Sequence, residues 1–136
     1  METEVESIQG KVPITILALC GELDASNFEA VIAKTKQLYE TGTRHLLLDI
    51  SGLTFMSSSG LVALHSIILL MRGEKPTDTE TGWSAFRAIE RDFDSGRQPY
   101  VKIVSPQPKV LTILQKTGMD HFFEIFSDRQ TALASY

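Results

Sequence analysis

Three consecutive serines, Ser57-Ser58-Ser59, stand where an apolar run gives way to a second apolar segment, in Leu46-Leu47-Leu48-Asp49-Ile50-Ser51-Gly52-Leu53-Thr54-Phe55-Met56-Ser57-Ser58-Ser59-Gly60-Leu61. The pattern predicts a strand, a short loop and a helix that opens on the serines. A helix N-terminus leaves backbone N–H groups unpaired and carries partial positive charge. A serine there serves as a cap, or bears a phosphate that the helix end is suited to hold. As a nucleophile it would need an activating base and an oxyanion site. The strained turn that exposes a nucleophilic serine in hydrolases has glycine two residues before it and two after. Gly60 satisfies the second condition for Ser58, but position 56 is Met. The histidines, His45, His65 and His121, stand in no recognisable triad context, so hydrolase chemistry is the weakest reading.

Other polar residues receive structural readings. Asp49 is expected to fix the loop that follows it by hydrogen bonding. His65 is expected on a polar edge of the second helix, with no second ligand at metal-binding spacing. Glu22/Asp24 and Asp92/Asp94 are too ordinary to indicate metal or acid–base chemistry. Cys20, the one cysteine, lies in an apolar run and is expected as a buried small hydrophobe in a reducing compartment.

The elements that must position the serines follow from periodicity. Val12–Cys20 reads as a strand, and Gly21-Glu22-Leu23-Asp24 as a loop or turn. Ser26-Asn27-Phe28-Glu29 is a capping-box pattern. It opens a helix carrying Phe28, Val31, Ile32, Leu38 and Tyr39 and ending near Gly42. Arg44–Ile50 is apolar on both faces, as expected of a central strand. The second helix carries the stripe Leu61, Leu64, Ile68 and Met71 and stops at Gly73. Tyr100–Val104 is a strand. Ser105-Pro106 is the expected start of a third helix, with Val110, Leu111 and Leu114 packing it and Gly118 ending it. Phe122–Phe126 is a short strand, and the capping box Ser127–Gln130 opens a terminal helix. A weaker strand signal covers Glu4–Gln9. This alternation predicts an α/β layered domain with a mixed, mostly parallel sheet of four to five strands and helices packed on it.

Residues 74–98 break the alternation and read as an inserted helical segment: a loop, Glu74–Thr81, then an amphipathic helix from about Trp83 to Phe93. Trp83, Phe86 and Phe93 form an aromatic stripe. It either packs on its own domain or forms a homodimer or partner surface.

Composition bounds the class. The 136 residues suit one domain, 1–136, with a single core. With 43% apolar and 22% charged residues the chain reads as globular, and its net charge of −4 without a basic run argues against nucleic acid as a direct partner. The longest apolar stretch, Leu61–Met71, is too short to span a bilayer, and Met1–Gly10 lacks the features of a signal peptide. A cytoplasmic protein without a membrane partner is expected.

Gly21-Glu22-Leu23-Asp24 after the first strand, the run Leu48–Leu61 and the segment Val104-Ser105-Pro106 through Gly118 together resemble the STAS domain of anti-sigma-factor antagonists. The resemblance covers most of the chain; the insertion at about 74–98 has no counterpart in the plain family pattern. It implies a STAS-like fold and a non-enzymatic bacterial regulator of transcription that needs no cofactor. Its partner would be an anti-sigma factor that is also a serine kinase. The serine at the position of Ser58 would be phosphorylated by that kinase, and phosphorylation would abolish binding. The docking surface implied by the motif comprises Gly21, Glu22, Asp24, Ser26, Thr54, Met56, Ser57, Ser59 and Gly60. One departure stands beside the site: Ser57 occupies the place where the family usually has Asp. That removes a negative charge and makes Ser57 and Ser59 alternative phosphate acceptors. Two other expectations stay open: a STAS scaffold or sensory interaction module without phosphorylation control, and a small-ligand-binding STAS domain.

Overall fold

The computed structural model describes residues 1–75, 89, 91–92, 96 and 98–136. Its elements in chain order are β1 (Glu2–Gln9), β2 (Pro13–Leu23), α1 (Phe28–Glu40), β3 (Leu46–Met56), α2 (Ser58–Met71), β4 (Val101–Val104), α3 (Pro108–Thr117), a 3₁₀ turn (Met119–Phe122), β5 (Glu124–Phe126) and α4 (Arg129–Ala134). The five strands form one sheet in the order β1-β2-β3-β4-β5. β1 is antiparallel to β2, and the other neighbours pair in parallel. The expected class, a mixed and mostly parallel α/β sheet with helices packed on it, is the one found.

Apolar residues fill both faces of the central strand. Leu46, Leu48, Ile50 and Leu53 of β3 join Leu17, Leu19 and Leu23 of β2 in the main core, under α1, α2 and α3. Leu47 points the other way. It joins Ile14, Ile16 and Val104 in a smaller cluster that Ala132 of α4 closes. Alternation along a strand explains the division. Burying β3 on both faces explains its unbroken apolar run.

Several boundaries differ from expectation. The weak signal at Glu4–Gln9 is a full strand, Glu2–Gln9. β2 continues through Gly21, Glu22 and Leu23, where the sequence predicts a loop or turn. Gly21 instead sits at φ +106° next to register shifts in the β2–β3 pairing, the conformation of a bulge. β3 likewise runs on through Ser51–Met56, and the connection to α2 shrinks to Ser57 alone. Three caps move as well. α1 starts after Asn27, without a side-chain cap. α3 starts after Gln107 with Pro108 as its first residue, and α4 starts after Asp128, whose carboxylate accepts from Thr131 N. Ser105 is no cap: it stands at φ +57° and donates its hydroxyl to the Ser127 carbonyl.

Two side chains reverse their expected environments. Cys20 is exposed, because β2 alternates and Cys20 points away from the main core where α4 no longer covers the sheet. His65 is buried, not on a polar edge. α2 is enclosed from Gly60 to Met71 apart from half-buried Leu69, and Nε2 of His65 lies 2.9 Å from Oδ2 of Asp92. Asp92 and the buried Ile89 place part of the expected insertion against α2 and the main core. Trp83, Phe86 and Phe93 lie outside the described residues.

Candidate functional site

The parallel pairing of β2 with β3 brings two distant motifs to one end of the sheet. Glu22 sits opposite Phe55 and Leu23 opposite Met56. The hydroxyl of Thr54 donates to the Gly21 carbonyl at 3.1 Å, and Ser57 N donates to the Leu23 carbonyl at 2.9 Å. The serine triplet and the Gly21–Ser26 loop are therefore one surface.

Ser57 is the residue before α2, with extended backbone at φ −87° and ψ 179°. Its side chain makes no cap hydrogen bond, and its Oγ is buried without a partner. Ser58, the first helical residue, is exposed, and Ser59 is half-buried. The first turn holds no acidic residue, so its partial positive charge meets no carboxylate of its own helix. Gly60 permits this arrangement. A Cβ there would lie 2.5 Å from Cγ of Met56, and 3.1 Å from both Cγ and the carbonyl oxygen of Leu23. Glycine thus lets the start of α2 rest directly on the ends of β2 and β3.

The neighbouring loop is braced internally. Asp24 accepts from Ser26 N at 2.9 Å and from the Ser26 hydroxyl at 2.6 Å. The Asn27 side chain accepts from Asp24 N and donates to the Glu22 carbonyl. The Ser26 hydroxyl and amide hold the Asp24 carboxyl below its ordinary range, since both bonds favour the charged form. Asp24 is a fixed anion at neutral pH, in an orientation set by the chain around it.

The structure gathers the predicted residues but gives them different roles. Met56 is 2% exposed and Gly60 is buried, so they shape the surface from below. Glu22, Ser26, Thr54 and Ser58 are exposed, and Gly21 and Asp24 are half-buried beside them. Two neighbours of this surface carry no signal in the sequence. Lys109 of α3 places Nζ 5.4 Å from the Phe55 ring centroid, and Gln107 donates to the Ser51 carbonyl at 2.9 Å. Only the side-by-side order of β3 and β4 carries α3 to this edge, and no local motif encodes that order.

Asp49 accepts from Ser51 N at 3.0 Å, but within β3, since no loop follows it, and it also binds Arg129 of α4. Burial alone pushes its carboxyl up, but the Ser51 and Arg129 contacts outweigh this and hold it below the usual range. Among the described residues none of the three serine side chains is hydrogen-bonded to a histidine, and no three His, Cys, Asp or Glu side chains group as a metal site.

A parallel α/β sheet edged by one antiparallel strand, with a serine-opened helix resting on its two longest strands, defines a small α/β module whose polar surface lies at the strand ends. The chain belongs to the STAS domain family, whose model matches residues 5–74, just over half of its length. Solved structures share the fold across nearly the whole chain. An anti-sigma factor antagonist from Mycobacterium paratuberculosis is 19% identical, with 98% of this chain and 92% of that chain covered and a TM-score of 0.67. The anti-sigma factor antagonist SpoIIAA in its unphosphorylated form is 17% identical, with 96% and 93% covered and a TM-score of 0.53. The Bacillus cell fate determinant SpoIIAA in its phosphorylated form is 16% identical, with 98% and 97% covered and a TM-score of 0.55.

Proposed function

We propose that this protein is an anti-sigma-factor antagonist: a non-catalytic binding protein that docks on a serine-kinase anti-sigma factor and is switched off when Ser58 is phosphorylated. The observation that carries the reading is the exposure of Ser58 at the first position of α2, beside a loop whose shape is fixed by Asp24 and Asn27. The similarity of the fold to proteins described as antagonists, one of them in both phosphorylation states, supports it. In this reading residues 1–136 act as one domain, with an insertion at about 74–98.

The physics favours a switch in binding over a switch in folding. A phosphate adds about −1.5 to −2 charges, which a helix N-terminus accommodates. A partner resting on the same surface meets the charge and its hydration shell directly. A loss of about 3–4 kcal/mol there lowers affinity by two to three orders of magnitude. Ser58→Asp should therefore unfold at nearly the wild-type urea midpoint yet lose its partner in a calorimetric titration; full affinity in that variant would reject the switch.

Ser57 favours a second reading, a STAS scaffold that is not phosphorylated, because the residue before Ser58 carries no charge for a kinase to recognise. Incubation with candidate kinases and ATP, followed by mass-spectrometric mapping, separates the two. Phosphate on Ser58 supports the switch, tight binding without phosphate supports the scaffold, and phosphate on Ser57 or Ser59 moves the acceptor along the triplet.

A further inference from the structure

β1 is the outer strand of the sheet, and among the described residues nothing pairs with its outer edge. It runs for eight residues in unbroken register with β2, from Glu2 opposite Cys20 to Gln9 opposite Pro13. Residues 2–7 are all exposed, including Val5 at 42%. Edge strands are commonly protected by charged side chains, proline, a bulge or short length, and on β1 only the charges of Glu2, Glu4 and Glu6 are present. Here Lys11 and Pro13 fall beyond the strand, and the pairing contains no register shift. Among the described residues, a row of unpaired backbone groups is thus available for another strand.

The side chains state which strand fits. Glu2, Glu4 and Glu6 share one face of β1, and Thr3, Val5 and Ser7 share the other. Glu6 already binds a cation on that face, Nη1 of Arg129 at 2.9 Å. Glu2 and Glu4 make no ion pair among the described residues. A second copy of this chain fits poorly. Added antiparallel in a continuous sheet, it would set its own Glu row against this one on the same face, and like charges opposite each other destabilise a strand pair. A strand with Lys or Arg at alternate positions and β-branched residues between them would pair with Glu2 and Glu4 on one face and cover Val5 on the other.

We propose that β1 binds an extended basic segment of a partner protein by strand addition, at a surface separate from the serine triplet. Backbone hydrogen bonds would provide affinity and the Glu row selectivity, as in other cases of strand addition to an open edge.

The test uses the full chain and a fluorescein-labelled decapeptide of alternating Lys and Val. Saturable binding by anisotropy, with amide shifts and slowed exchange centred on residues 2–9, is the expected result. The double variant Glu2→Lys/Glu4→Lys should bind it roughly tenfold more weakly and should gain binding to an alternating Glu/Val peptide. A peptide with the same lysines but with proline replacing the valines keeps the charge and cannot add as a strand, so it should bind weakly. Equal binding of the proline peptide would reduce the interaction to charge alone and overturn the proposal. So would shifts centred on α2, self-association through β1 in sedimentation, or no saturable binding at all. None of these outcomes depends on whether Ser58 is phosphorylated, because the probe carries no kinase surface.

Discussion

His65 illustrates how one residue changes meaning when its surroundings are known. Its ring is 1% exposed, packs 5.7 Å from the Phe122 ring and bonds to Asp92, which also binds Arg72. Burial pushes the imidazole below its ordinary value of 6.5, and the nearby carboxylate only partly opposes this. A histidine whose native pKa is depressed contributes stability above its unfolded value. That contribution is lost as pH falls from about 6.5 toward the native value, because the unfolded chain takes up the proton first. Urea unfolding should therefore show falling stability between pH 7 and pH 5. His65→Leu should cost about 1.5–3 kcal/mol at pH 7, through loss of a hydrogen bond to a charged partner. The variant should also be flatter over the same pH interval. A wild-type slope of the opposite sign, or an unchanged slope in the variant, would contradict this account. In the sequence, position 65 sits beside Leu64 in a helical pattern. Its partner Asp92, 27 residues away, leaves no local trace.

The elements around the serines were legible in type and order but not in extent. The apolar run of β3, the helix after it and the glycine stops near Gly42 and Gly118 follow from local chemistry. The ends of β2 and β3 do not, because Gly21, Ser51 and Gly52 are weak strand residues held in place only by pairing with each other's strand. The surface was legible as two motifs; that they touch is a consequence of parallel pairing. Gly60 is where this pairing meets the helix. Helix propensity favours alanine there by about 0.5–1 kcal/mol. The overlap of a Cβ with Met56 and with the Leu23 backbone is worth about 1–3 kcal/mol in the other direction, since the carbonyl belongs to a paired strand and has little room to move. Gly60→Ala should thus be destabilised by roughly 1–2 kcal/mol in urea unfolding. It should also shift the amide signals of Leu23 and of Ser57–Ser59 together. Enhanced stability would mean that α2 does not rest on the strand ends as described.

At the scale of the molecule, the sheet has one deeply covered face and one covered only in part, and a single arginine ties the second face together. Arg129 opens α4 and reaches Asp49 on β3 through Nε at 3.0 Å and Nη2 at 2.7 Å, while Nη1 reaches Glu6 on β1. It spans the sheet from its outer strand to its centre, beside the small cluster of Ile14, Ile16, Leu47 and Val104. The two acidic partners contribute unequally. Arg129 and Glu6 are 45% and 54% exposed in their side chains, so solvent and salt screen that pair and it is worth little. Asp49 is 10% exposed and keeps only its contacts with Ser51 when the guanidinium is removed. Arg129→Ala should therefore cost about 1–3 kcal/mol, the range for leaving a largely buried acceptor without its partner. Glu6→Ala should cost under about 1 kcal/mol. A double-mutant cycle identifies the source. In an Asp49→Asn background, where the buried charge is already gone, Arg129→Ala should cost less than half as much. Because the native Asp49 carboxyl is held below 3.8, the Arg129 contribution should persist at neutral pH and disappear as pH falls through and below that value. Equal costs in both backgrounds would show that α4 is held by its apolar contacts alone, with the arginine serving only as a solvated first residue of the helix.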